Sequence, residues 1–360
     1  MPDTKQFLEL LRRDGRVRDP HAALTPLAGG VSSDIFLVRD GPESFVAKRA
    51  LAKLRVQEDW YANVGRNATE QAYIQCVARF LPGVVPELIF TNEQAGYFTM
   101  EFIGLDFANW KELLLGGLCR AAHAAQAGEI LGTIHRRTAG DAEVARKFRT
   151  TADFRQLRLE PYLLTTGARH PDLREFFESE AGRLAATHEA LVHGDFSPKN
   201  IMISDARMVV LDCEVAWYGD PTFDVAFLLN HFFLKALHHA PADHGLEKMV
   251  AVFWRAYGSA RENGDARIVE QRLVPLLLML LLAPFSALGW DLVIVSQVIG
   301  VMAVVVSAIA LYRIVGAHGN PRGRNALADT EAGRIAMRPY AWLVAALFVL
   351  DPFTWLNAYS

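Results

Sequence analysis

A chain of 360 residues with 51% hydrophobic content is long enough to build two lobes, each with its own core. Its formal net charge of −3 leaves no basic footprint for nucleic acid. The cysteines, Cys76, Cys119 and Cys213, are odd in number and lack metal-ligand spacing. They exclude a disulfide framework and a zinc site and fit a reducing setting.

The N-terminal stretch MPDTKQFLELLRRDGRVRDP is charged throughout and lacks the apolar core of a signal peptide, so the catalytic region is expected in the cytoplasm. Within it, residues 5–14 read as a short amphipathic helix, peripheral to the fold. From Leu24 the pattern becomes strand, loop, strand. Gly29, Gly30, Ser32 and Ser33 offer backbone N–H groups and small hydroxyls to a polyphosphate, because glycine lets the main chain approach closely. The same residues would also suit a plain hairpin turn. Phe45-Val46-Ala47-Lys48 alternates like a strand and ends on a lysine, with Arg49 on the opposite face, in solvent. A helix is expected across 58–80, with Tyr73, Ile74, Val77, Phe80 and Leu81 on one stripe and Glu70 on the same side. An inward glutamate needs a cation, since an unpaired buried carboxylate is costly, and Lys48 is the candidate.

VVPELIF and GYFTMEF form two further strands, and a second lobe begins near Leu105. Ala121 to Thr138 reads as a long helix in which His135 is a structural or capping residue. Residues 151–190 are polar and helical without a readable motif.

The stretch Leu191 to Ala226 carries the chemistry. Leu191-Val192 and Ile201-Met202-Ile203 bracket a polar loop, and after a turn at 204–207 the run Met208 to Leu211 delivers Asp212. This reads as a β-hairpin with functional groups at both ends. His193, Asp195, Lys199 and Asn200 crowd the loop. Two aspartates and an asparagine around one point suit a hard divalent cation with phosphate attached, because Mg²⁺ takes one or two carboxylates and leaves the rest to phosphate and water. Glu214 is open between metal and substrate contact, and Asp220 between a site role and a helix cap. An apolar helix follows from Phe223 to Leu237.

HGDFSPKN followed by LDCE resembles the catalytic and metal-binding loops of the aminoglycoside phosphotransferase and choline kinase superfamily, small-molecule kinases built like protein kinases. The spacing matches H-x-D-x-x-x-x-N. The resemblance implies an α+β, bilobal, protein-kinase-like fold: an N-lobe over 1–103 of antiparallel sheet plus helix, and a mostly helical C-lobe over 104–272. It implies Asp195 as catalytic base, with His193 and Lys199 in the same loop, and Asn200 and Asp212 as metal ligands with Glu214 beside them. Lys48 would reach the α/β-phosphates and pair with Glu70, while Gly29, Gly30, Ser32 and Ser33 cover the nucleotide. Main-chain groups of Glu101 and Ile103 would face the adenine, and Asp224 would hold the catalytic loop through backbone hydrogen bonds. The implied cofactors are ATP and Mg²⁺, and the implied partner is a small hydroxyl acceptor: a sugar, an amino alcohol or an aminoglycoside-like compound. YFTMEFIG, NWKELLL and AWYGDPTFDVAFLLNHFFLK look most like the methylthioribose-kinase-like branch. The chain passes from Asp212 to YGDPTFD within about eight residues, too few for a protein kinase's activation loop. The alternative from another class is a catalytically silent, membrane-tethered nucleotide-binding module.

The tail, 273–360, departs from the resemblance. Leu273 to Leu288 is almost wholly apolar, Gly289-Trp290-Asp291 interrupts, and Leu292 to Tyr312 is 21 residues without a charge. These read as a transmembrane hairpin over 273–312, anchoring the chain at the inner membrane face, because Arg313, Arg322, Arg324, Arg334 and Arg338 favour the cytoplasmic side. A buried lobe helix at 273–288 is the competing reading, and a tail foreign to the kinase is a third.

Overall fold

The computed structural model describes residues 4–27, 33–50, 65–239, 245–262 and 266–287. Gly29, Gly30 and Ser32 lie outside them, as do residues 51–64 and the tail beyond 287.

Alternation along the first strands builds an antiparallel sheet with two covered faces. The strands β1 (Ala23–Pro26), β2 (Ser33–Asp40), β3 (Glu43–Ala50), β4 (Leu88–Asn92) and β5 (Tyr97–Glu101) lie in the order β1-β2-β3-β5-β4. One face buries Phe36, Val38, Phe45, Ala47 and Tyr97 under Phe7 and Leu11 of α1 (Thr4–Arg13). The N-terminal helix is therefore part of the lobe's core, not peripheral to it. The Phe7 ring meets Tyr97 edge-on at 5.4 Å. On the same side Arg49 is not merely solvated: its guanidinium lies over the Phe7 ring and bonds Asp34 at 2.9 Å.

The period of two puts Val46 and Lys48 on the other face, toward α2 (Arg66–Ala78), where Tyr73, Ile74 and Val77 join Val46, Phe98 and Met100 in the main core. Lys48 stands on the central strand, paired with Ile35 and Phe98 on its two neighbours.

The second lobe runs β6 (Ala108–Asn109), α3 (Trp110–Leu115), α4 (Ala121–Thr138), α5 (Ala142–Lys147), α6 (Thr151–Phe154), a π-helix over Arg155–Leu164, α7 (Thr165–Arg169) and α8 (Arg174–Ala186). Then come β7 (Ala190–Val192), a 3-10 turn at Pro198–Asn200, β8 (Ile201–Ile203), β9 (Met208–Val210), β10 (Trp217–Gly219), α9 (Thr222–His239), α10 (Leu246–Ala260) and α11 (Ala266–Ala287). The expected hairpin is β8–β9, closed by Ser204, whose hydroxyl accepts from the Ala206 and Arg207 N–H groups. β7 instead pairs with β10, so the loop that carries His193, Asp195 and Asn200 emerges from one small sheet and enters another.

Helices α4 and α10 cross at backbone contact. A Cβ on Gly128 would lie 2.5 Å from the Phe253 carbonyl oxygen, and one on Gly132 would lie 2.6 Å from that of Tyr257. This closeness brings Tyr257 to His135.

The tail reading needs correction where the structure reaches it. Leu276, Met279 and Leu280 of α11 are buried, and the helix packs on α9, the π-helix, α7 and α8. Arg272 of the same helix bonds Glu189 at 2.7 Å. Among the described residues no helix is long and apolar enough to cross a membrane. The first limb of the expected hairpin is thus a lobe helix that buries one apolar face against its neighbours; the second limb lies outside the described residues.

Replacing Gly128 with alanine is expected to cost about 3 kcal/mol, since the methyl group meets backbone that must move. A fall in the urea midpoint of the full chain would show it, and an unchanged midpoint would mean that the two helices part freely.

Candidate active site

The site lies between the lobes and is organised by a single buried ammonium. Lys48 Nζ lies 2.7 Å from Glu70 Oε2 and 2.6 Å from Asp212 Oδ1, so the sheet, α2 and the segment after β9 meet on one side chain. Both Lys48 and Glu70 are about 1% exposed. Burial opposes the charge on Lys48, but Asp212, Glu70 and Glu214 outweigh it and hold the lysine protonated well above its ordinary range. Glu70 shows the other side of the competition: burial pushes it up to about 7 despite Lys48, and Asp212 and Glu214 add to the rise. For Asp212 burial again opposes ionisation, and the pull of Lys48 holds its carboxyl below the usual range.

Glu214 lies beyond Asp212 and is pinned by Arg66, an α2 residue with no sequence signature, at 2.9 Å; the Ser33 hydroxyl donates to its other oxygen at 3.4 Å. Ligand atoms of Glu70, Asp212 and Glu214 all lie within 4.8 Å of one another. Glu70 is taken up by Lys48, so Asp212 and Glu214 are the carboxylates of this cluster left to face a hard divalent cation, and oxygen donors of this kind fit one. Asp212 has φ 62°, a left-handed conformation that costs a non-glycine residue about 1 kcal/mol or more and is tolerated where function requires it.

The catalytic loop is held from below. Asp224, fully buried at the start of α9, accepts the N–H groups of His193 at 2.7 Å and Gly194 at 2.9 Å. Its Oδ2 also meets His135 Nε2 at 3.3 Å, and His135 Nδ1 meets the Tyr257 hydroxyl at 3.0 Å. Burial lowers the pKa of His135, so it bridges the two as a neutral ring. Gly194 needs its φ of +78°, and a side chain there would strike the Val215 carbonyl at 2.7 Å. His193 is itself a strut. Its Nδ1 accepts the Asp195 N–H at 3.1 Å and its Nε2 faces the Leu211 carbonyl at 3.1 Å, which assigns the proton to Nε2; burial keeps the ring neutral. His193 therefore ties Asp195 to the segment delivering Asp212. Asn200 closes the turn, its amide nitrogen donating to the Asp195 carbonyl at 3.0 Å, which turns the amide oxygen into the end able to ligate.

Asp195 is 4% exposed, and two cations reach its Oδ2: Lys199 at 2.9 Å and Arg158 at 3.0 Å. Its Oδ1 has no partner among the described residues. Arg158 also donates to the Gly194 carbonyl at 2.5 Å. It comes from the π-helix, inside the stretch that had no readable motif. Pro161 lies within that helix, where it removes a backbone donor, and π-registers concentrate at functional positions. A proline in an otherwise helical pattern was the available signal.

The remaining expectations divide. Asp220 both caps and pairs: its Oδ1 accepts the Thr222 N–H at 2.9 Å, and its Oδ2 bonds Arg183. At the expected hinge, the Glu101 N–H is already given to the Glu87 carbonyl at 2.8 Å, and its side chain bonds Arg207 at 2.9 Å. The Glu101 N–H is therefore not open to an adenine. Ile103 is buried, and Ser33 faces Glu214.

The sequence profile of the phosphotransferase enzyme family matches residues 23–267. A methylthioribose kinase of Pectobacterium atrosepticum is 24% identical over 294 residues, 73% of this chain and 72% of that protein. One of Yersinia pseudotuberculosis is 24% identical over 63% of each chain. Among solved structures, a choline/ethanolamine kinase family protein from Mesorhizobium loti superposes with TM-score 0.50 at 18% identity, covering 96% of this chain and 99% of that one. An amicoumacin kinase in complex with AMP-PNP and Ca²⁺ gives 0.51 at 16% identity, covering 81% and 90%. These likenesses agree with the two-lobed, kinase-like architecture.

Asp224→Ala would leave two buried N–H groups and His135 without an acceptor. The expected loss is at least about 2 kcal/mol of stability, visible in the denaturant midpoint, together with lower turnover. Asp224→Ala with full stability would mean that the loop holds itself.

Proposed function

The chain belongs to the phosphotransferase enzyme family, and from that premise we propose that it transfers the γ-phosphoryl group of ATP, with Mg²⁺, to a hydroxyl of a small molecule. The observation that carries this reading is the joining of Lys48 to Asp212 at 2.6 Å beside a loop in which His193 ties Asp195 to the same segment. In the reaction, the acceptor oxygen bonds the γ-phosphorus, the bond to the β-phosphate bridging oxygen breaks, and ADP leaves. Asp195 orients the hydroxyl and takes its proton through Oδ1, while Arg158 and Lys199 hold Oδ2 still. Lys48 binds the α/β-phosphates and Glu70 fixes its position. Asp212 and Asn200 would hold the metal, with Glu214 beside them. The cation would neutralise phosphate charge as the transfer proceeds. Positioning by these fixed charges supplies most of the catalysis, since the protein has little covalent chemistry to perform.

Sugars, amino alcohols and aminoglycoside-like compounds are the acceptor classes, and methylthioribose is the first to test because kinases of that sugar are relatives at 24% identity. The silent-module alternative has nothing in its favour, for such a module has no use for a sheltered Asp195 or a strained Asp212.

Asp195→Asn should lower turnover by about 10³-fold, within the range of general-base losses, while ATP affinity stays within about twofold. Acceptor-stimulated ADP release and equilibrium nucleotide binding read the two quantities. Retained turnover would remove Asp195 from the chemistry.

A further inference from the structure

A second, mostly cationic group of charges gathers near Asp195. Lys235 of α9 is 6% exposed and has no hydrogen-bond or ion-pair partner among the described residues. One turn earlier, His231 stands against the Phe227 ring at 5.3 Å, and Phe227 in turn meets Tyr162 of the π-helix at 5.8 Å. The start of α3 leans on the catalytic loop, where the Asn109 amide donates to the Lys199 carbonyl at 2.7 Å. This brings Lys111 to the same region. Four elements thus deliver Arg158, Lys199, Lys111 and Lys235, with His231 among them. Against them stand Asp195, already shared by Arg158 and Lys199, then Asp212 and Glu214, whose charges also act on Arg158, and the exposed Glu112, 3.8 Å from Lys111; none of these pairs with Lys235.

The energetics agree that Lys235 lacks a counter-charge. Burial, with repulsion from Lys111, pushes its ammonium down to about 8. Burial and Lys235 push His231 down to about 4, with Asp195, Lys199 and Lys111 also acting on it, so all five groups share one electrostatic neighbourhood. A sheltered cation left unpaired is a cost that folding alone gives no reason to keep.

We propose that Lys235, with His231 and Lys111, is the acceptor-specificity element of this site, and that it selects a hydroxyl compound carrying an anionic group, a carboxylate or a phosphate. The inference rests on the kinase reading and narrows it. A polycationic or quaternary-ammonium acceptor would meet repulsion here, whereas an anion seated on Lys235 presents its hydroxyl to Asp195 Oδ1. The partly buried Tyr162 ring, packed on the buried Phe227, adds apolar surface of the kind most small-molecule sites need.

The test uses the full chain with MgATP and a set of hydroxyl compounds in matched charge classes, with gluconate, glucose and glucosamine as one trio and others built likewise. Acceptor-stimulated ADP release is the readout. Stimulation should concentrate in the anionic class, and for each active compound Lys235→Met should raise KM about tenfold or more while changing kcat less. The same variant should keep or raise Tm, because it removes an unpaired sheltered charge; this separates lost recognition from lost folding. Activity concentrated in the cationic or neutral class, or an unchanged KM in Lys235→Met, would overturn the inference and leave the kinase reading intact. Absence of stimulation in every class, with wild type no faster than Asp195→Asn, would overturn both.

Discussion

Lys48 is the interaction on which the site depends. Its ammonium is removed from water on the central strand of the first lobe, and a lysine in that position persists only if carboxylates come to it. Glu70 comes from α2 and Asp212 from the second lobe, so the demand of one buried charge sets the distance between sheet, helix and catalytic segment. The arrangement is over-supplied with negative charge once Glu214 is added, and Arg66 offsets only part of the excess. The cluster therefore carries an excess of negative charge that a divalent cation would relieve.

A second constraint fixes Asp195, the proposed base. Asp195 is held through its main chain, by His193 and Asn200, and those residues are held in turn by Asp224 and the Leu211 carbonyl. Asp224 is placed by His135 and Tyr257, and Tyr257 is within reach of His135 only because Gly128 and Gly132 let α10 approach α4 at backbone distance. The chain of contacts runs from two glycines on a helix to the orientation of one carboxylate. Each step is a buried hydrogen bond or a close contact, where a displaced partner would leave a polar group without satisfaction.

Much of this was legible because it was local. The spacing of His193, Asp195 and Asn200, the alternation that puts Lys48 inward and the helical stripe carrying Glu70 all lie within single elements, where period and spacing carry the information. The β8–β9 hairpin was readable for the same reason, whereas the pairing of β7 with β10 joins strands about 25 residues apart and leaves no local trace. Arg158 was hidden by its π-helix, whose register matches neither the 3.6-residue nor the two-residue period. Arg66 was hidden because a cation at a helix start has many uses and its partner is 148 residues away. The misreading of α11 has a different cause. A helix surrounded by protein and a helix surrounded by lipid face the same solvent requirement, so an apolar run does not distinguish them; burial of Leu276 and Met279 against neighbouring helices does.

Asp195 stands between the carboxylates Asp212 and Glu214 and a group of cations, Arg158, Lys199, Lys111 and Lys235; in the proposed reaction the first would face the nucleotide and the second the acceptor. Lys235 is the cation for which folding gives no return, since it is sheltered and unpaired among the described residues, whereas Lys199 and Lys111 keep about half their exposure. The two groups are complementary to a pair of ligands, a cation-bearing polyphosphate on one side and an anionic hydroxyl compound on the other. An acceptor approaching the γ-phosphate carries charge that the triphosphate repels, and cations on the acceptor side are what allow the two to come within bonding distance. The unpaired, sheltered charge that costs the fold stability is the one that would bring the proposed reactants together.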